Sequence, residues 1–170
     1  KSYTYNGSLK LTGFYKNGHK NKAWIEYFEN GRQKDISHYK VVKIKSEIKY
    51  GPMKDRVRYE SVKEGEFVSF SAKDFKMTEA GKYKNGEKEG QWIDYYPGGK
   101  IPAVISTYKN GKLDGPMREY GRRGELISEV NYKDGMKHGF LRTFDKRGKV
   151  LTEKEYEYGM PKTSGGFAPR

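Results

Sequence analysis

Apolar side chains recur along this 170-residue chain in short alternating runs rather than long continuous ones. Leu9 and Leu11 alternate with Lys10 and Thr12, the two-residue period of a half-buried strand. Val42, Ile44, Ile48 and Tyr50 alternate with Lys43, Lys45, Glu47 and Lys49, which predicts a longer strand with one apolar and one basic face. Phe75 and Met77 resume the alternation ahead of Tyr83. Between turn signals the segments run to about seven to nine residues, which suits strands and is too short for helices.

A second, longer period lies over the first. YKNGEKEGQW, starting at Tyr83, returns as YKNGKLDGPM from Tyr108 and YKDGMKHGFL from Tyr132. Tyr15, Tyr83, Tyr108, Tyr132 and Tyr156 are each followed three residues on by Gly18, Gly86, Gly111, Gly135 and Gly159. Further landmarks are Gly90, Gly115 and Gly139, with Lys22 as the exception, then Trp24, Trp92, Met117 and Leu141, then Tyr27, Tyr95, Tyr120 and Phe144. The spacing is 24 residues, once 25. Asn17-Gly18, Asn85-Gly86, Asn110-Gly111 and Asp134-Gly135 are dipeptides that accept positive φ at both centres of a two-residue hairpin turn. ENGR, PGGK, RRGE and KRGK supply a second Gly-bearing turn in each copy. Each copy therefore predicts two antiparallel strands and two turns. Such a unit buries a core only by stacking on its neighbours.

The expected organisation is a single all-β repeat domain over residues 1–160. Residues 1–39 and 83–160 are regular, and 40–82 are two degenerate copies with longer strands. The tail at 161–170, PKTSGGFAPR, is irregular. One tension is visible within the copies. Trp92 and Tyr95 are three apart, on opposite faces of a flat strand. A bulge or strong twist would bring both inward; otherwise one covers the outside.

The phrase Y-x-N-G-x-x-x-G-x-W followed by Y-x-x-x-G, fullest from Tyr83 to Gly99, resembles the MORN repeat family in its bacterial, antitoxin-type variant. The resemblance covers residues 5–39 and 83–159 well and 40–82 poorly. It implies an elongated stack of antiparallel β-hairpins. Such repeats serve as scaffolds, membrane-associated proteins, enzyme accessory domains and antitoxin-like modules. Lys22 and the irregular middle depart from the pattern.

Composition narrows the partners. The chain is 34% hydrophobic with a mean hydropathy of −1.05, yet 15% aromatic, with 15 Tyr. Tyr rings cover area in thin layers while their hydroxyls stay near water. The net charge of +13 favours an acidic protein surface, an anionic membrane or nucleic acid, although Lys also solubilises sheet surfaces and blunts their edges. Cys is absent, which excludes disulfides and thiolate chemistry and leaves the compartment open. The chain opens at Lys1 without Met, as a removed export signal or trimming would leave it. An exported or envelope-associated location is favoured over a cytoplasmic one.

Catalytic chemistry finds little support. His19, His38 and His138 are dispersed, with no partner at metal-ligand spacing. Thr4, Ser37 and Thr143 sit in no nucleophile arrangement. Glu26, Asp94 and Glu119 occupy equivalent positions, a row better suited to cross-strand ion pairs than to a cation. The glycine-rich pieces lack a strand-to-helix context for phosphate. The expectation is a non-enzyme with no cofactor, no metal and no small-molecule substrate. Partner-binding candidates are the residues that break the repeat: Lys43, Lys45, Lys49 and Arg56, with Arg122 and Arg123. Lys16, Lys20, Lys84, Lys88, Lys109, Lys112, Lys133 and Lys137 recur near corresponding turns and would gather on one rim facing an anionic membrane. Nucleic acid is disfavoured, because the aromatics recur at fold-defining positions.

Overall fold

The computed structural model describes residues 1–46 and 56–162. Among these the chain is all-β, with fourteen strands paired antiparallel. They divide into two compact units, Lys1–Lys88 and Glu89–Arg170. In the first unit β1 (Ser2–Tyr3), β2 (Leu9–Lys16), β3 (His19–Tyr27), β4 (Gln33–Ser46), β5 (Arg56–Phe70) and β6 (Met77–Lys84) pair in chain order. The division falls just inside β7 (Glu87–Tyr95). After it, β8 (Pro102–Lys109), β10 (Gly115–Tyr120), β11 (Leu126–Lys133), β12 (Met136–Phe144), β13 (Val150–Glu157) and β14 (Met160–Pro161) follow in order. The short β9 (Lys112–Leu113) closes on the end of β8.

The hairpin turns carry positive φ at both central residues, as their sequences dictate. Asn17 and Gly18 have φ of 51° and 78°, and Asn110 and Gly111 have 48° and 76°. Tyr158-Gly159 does the same at 46° and 84°, although Tyr has no amide side chain to favour it. The second turns close tightly: the N–H of Gly31 donates to Phe28 O at 2.9 Å, and that of Gly124 to Gly121 O at 2.9 Å.

Two irregularities shape the strands. The first surrounds the glycine before each large side chain. Gly65, Gly90, Gly115 and Gly139 all have positive φ, and Lys22 adopts 62° in the same place. There the register widens: Val130 faces Leu141 while Tyr132 faces Lys137. The second lies just before the following aromatic. Asp94 faces Val104 but Tyr95 faces Pro102, leaving Ala103 unopposed. Equivalent slips occur at Glu26/Tyr27, Ser69/Phe70, Glu119/Tyr120 and Thr143/Phe144. An extra residue of this kind bends a strand and raises its twist. Of the alternatives open for Trp92 and Tyr95, a bulge is present, on the partner strand, and Tyr95 is half-buried.

Among the described residues, few apolar side chains in either unit are fully buried. They are Trp24 and Phe67 in the first unit and Trp92 and Val130 in the second, with Trp92 only 1% exposed. Small residues make room beside the rings. Gly13 and Ser37 both face Trp24, Ser37 also faces Phe67, and Ser106 faces Trp92. A Cβ on Gly13 would lie 2.2 Å from the indole, so no side chain fits there. Where Met117 and Leu141 replace the large rings, Val130 faces both. Volume is thus exchanged across the pair, as close packing requires.

Residues 40–82 contain the far end of β4, all of β5 and most of β6. The β3 register on β4 ends at Tyr39, and the β6 register on β5 ends at Gly65. Beyond those points β4 and β5 pair with each other, from Tyr39↔Lys63 out to Ser46↔Arg56.

Candidate interaction surface

The β4–β5 extension is a two-stranded ribbon. Among the described residues, no strand pairs with its outer edges at 41–46 and 57–61. Unpaired N–H and C=O groups on such an edge are a template for an incoming strand. Facing residues share a side of the ribbon, so the register decides its two faces. Lys43 lies opposite Tyr59, and Ile44 opposite Arg58. Each face consequently mixes cation and apolar area, although β4 alone separates them. Lys43 is exposed, Tyr59 is 43% exposed and Val57 is 45% exposed. Tyr59 and Val57 were missed by sequence reasoning. Only the register sets them beside the lysines.

The other candidates fall in different places. Lys45 pairs with Val57 and Arg56 with Ser46 in backbone register, and Lys49 lies outside the described residues. Arg122 and Arg123 are exposed in the β10–β11 turn, in the second compact unit, and the Arg122 guanidinium lies over the Tyr96 ring at 5.1 Å. Of the eight turn lysines, Lys16, Lys84, Lys109, Lys112 and Lys133 are exposed. The remaining three are half-buried and engaged. Lys20 Nζ stands 4.8 Å from Trp24 and 5.2 Å from Tyr39, and Lys137 Nζ lies 5.3 Å from Tyr156. Lys88 pairs with Glu79 at 2.8 Å. Lys63 repeats the Lys20 arrangement, at 5.0 Å from Phe67 and 4.5 Å from Tyr83. Cation–π contacts of half-buried lysines are worth about 0.5–2 kcal/mol. These lysines roof the aromatic core.

Carboxylates organise the hairpin turns. Glu64 Oε2 accepts the Asn85 N–H at 2.7 Å, Glu89 Oε2 the Asn110 N–H at 3.0 Å, and Asp114 Oδ2 the Asp134 N–H at 3.2 Å. Beside them, the N–H of Gly86 donates to Lys63 O and that of Gly135 to Leu113 O, both at 2.8 Å. The Asn85 N–H and the Lys40 ammonium, 3.0 Å from Glu64, hold the Glu64 carboxyl below its ordinary range. The corresponding position near the C-terminus is His138. Its Nδ1 is buried without a hydrogen bond, and its ring lies 5.5 Å from Tyr158.

The acidic row expected at Glu26, Asp94 and Glu119 is taken up locally. Glu26 pairs with Lys34 at 2.9 Å, which raises the Lys34 pKa, and Glu119 accepts the Ser128 hydroxyl at 2.9 Å. Cross-strand pairs Arg118–Glu129 and Arg142–Glu153 extend the same pattern. Among the described residues, no group of three or more His, Asp or Glu could hold a metal ion. Lys109, Lys112, Lys133, Asp114, Asp134 and His138 line an open cleft of about 620 Å³. No known family model, curated protein or solved structure matches this chain.

Proposed function

We propose that this chain is a MORN-like repeat protein that acts by contact, without catalysis, as an interaction module for an acidic protein partner. The repeat reading is supported by the interval from each recurring Tyr to its facing residue. Tyr15↔Lys20, Tyr108↔Leu113, Tyr132↔Lys137 and Tyr156↔Pro161 are each five apart, whereas Tyr39↔Lys63 is twenty-four apart, nineteen more. Removing those nineteen from the 44 residues between Tyr39 and Tyr83 leaves 25, one period. On this reading, residues 40–82 hold one copy with an extended hairpin, in place of two degenerate copies.

The observation that carries the functional reading is the ribbon itself. Among the described residues it interrupts the array, leaves two strand edges unpaired and presents Lys43, Arg58 and Tyr59 to solvent. Strand addition to such an edge draws affinity from main-chain hydrogen bonds, and its cations select an acidic segment. Scaffold or antitoxin-like roles in a bacterial envelope complex are forms of the same contact mechanism. The five exposed turn lysines favour a second reading, adsorption to an anionic membrane surface.

The test is to replace residues 41–61 with Asn-Gly, which restores the five-residue interval from Tyr39 to Lys63. The shortened protein is expected to fold and to lose its co-purifying partner in native pull-downs. Undiminished partner recovery would remove the ribbon from the mechanism. Vesicle flotation at low salt decides the second reading; binding indifferent to lipid charge eliminates it.

A further inference from the structure

We propose that a cleft in the first compact unit, between the β3–β4 and β5–β6 turns, binds the C-terminal residue of a partner polypeptide. An aromatic side chain would sit among Tyr27, Phe70 and Phe75, with its terminal carboxylate on Arg32. The cleft is separate from the ribbon.

The first observation is conformational. Phe75 has a φ of 57°, in the left-handed region that bulky side chains rarely occupy. Strain of this kind persists where the surroundings over-determine it, and here they do. Phe75 N–H donates to Ser71 O at 3.0 Å, Ser71 Oγ accepts the Lys73 N–H at 3.1 Å, and Asp74 Oδ1 accepts the Lys76 N–H at 3.3 Å. The result is a half-buried ring held edge-on to Phe28, with centroids 6.3 Å apart.

The second is electrostatic. The Arg32 guanidinium stacks on Phe75, 3.8 Å from the ring centroid. Among the described residues no carboxylate pairs with it. A guanidinium stacked by its face keeps its in-plane N–H donors for a planar bidentate acceptor, which a carboxylate is.

The third is space. Tyr27, Gly31, Arg32, Gln33, Phe70 and Phe75 enclose about 390 Å³, near the small end of ligand sites. That admits one ring-bearing residue, and a Cβ placed on Gly31, one of the lining residues, would meet nothing within 4 Å. Aromatic walls beside one unpaired cation fit an apolar ring joined to a carboxylate. A polypeptide that ends in an aromatic residue presents that combination.

The experiment titrates the full chain with a tetrapeptide ending in Phe, as the free acid and as the amide, following the Arg32 Nε–H resonance. The acid is expected to bind at least about tenfold tighter than the amide, the scale of one charge-assisted hydrogen bond. Arg32→Gln should erase that difference. Phe75→Gly relieves the left-handed strain, so it should hold or raise the melting temperature while weakening the acid peptide. Equal binding of acid and amide, or unimpaired binding by Phe75→Gly, overturns the proposal. N-acetylphenylalanine binding as tightly as the tetrapeptide would replace the polypeptide with a free aromatic acid. The variant lacking residues 41–61 should still bind the peptide, so failure at the ribbon and failure at this cleft are separable.

Discussion

The strands around Trp92 and those around Leu141 are built alike and buried differently. Each large residue follows a left-handed glycine, Gly90 or Gly139, and each lies just ahead of a register slip. Trp92 sits opposite Ser106 and is 1% exposed, whereas Leu141 sits between Val130 and Lys154 and is half-buried, and β13 is exposed from Val150 to Lys154. With so few fully buried side chains among the described residues, little else compensates for a smaller one. Burial is therefore decided position by position, by one ring and the small residue beside it.

The sharpest way to break that comparison is truncation at the two positions. Trp92→Ala is expected to cost about 3–5 kcal/mol, and Leu141→Ala no more than about half of that. Urea unfolding measures both, and equal losses would show that the difference in burial does not set the contribution. Next in size is Gly13→Ala. Its Cβ would meet the Trp24 indole at 2.2 Å, so overpacking should cost about 1–3 kcal/mol. A shift in the Trp24 Nε1–H resonance, whose hydrogen bond to Phe14 O is 3.0 Å, would report the displaced ring.

A smaller contrast separates the carboxylate-capped turns from the turn at Tyr158. Asp114→Ala should cost about 1 kcal/mol and speed exchange of the Asp134 amide. His138→Asp supplies the acceptor that the series lacks and removes a buried unpartnered nitrogen, so it should stabilise by up to about 1 kcal/mol. Slower exchange at the Tyr158 amide is the readout; an unchanged rate would separate His138 from the series.

The smallest effect is in pH. The Glu64 carboxyl is held low by the Asn85 N–H and then by Lys40. Its contribution is thus fully present above the ordinary glutamate pKa and fades as pH falls through the lower folded value. The stability difference between wild type and Glu64→Gln should be greatest near neutrality and vanish once pH falls below the lowered folded value. Because the side chain is partly exposed, its size should stay under about 1 kcal/mol. A difference that grows on acidification would contradict the assigned cause.

Much of the architecture was legible from residue order. Asn17-Gly18 and its counterparts have few conformations open to them, and they adopt the expected positive φ values. The alternation through Val42 and Ile44 correctly marked a long strand. What Lys20 and Lys63 do was not legible, because a lysine near a turn looks solvated until two rings are seen beneath it. The Phe75–Arg32 stack escaped notice for a similar reason. Its members are 43 positions apart and meet only because β4 and β5 are neighbours.

The amino-acid order alone determined where the chain turns and which side chains are large enough to form a core, since both follow from local sterics and short-range periodicity. Register, roofing of the core and the edges left open were decided by the tertiary structure. These depend on which strand lies opposite, and pairing partners are set by contacts across many residues of chain.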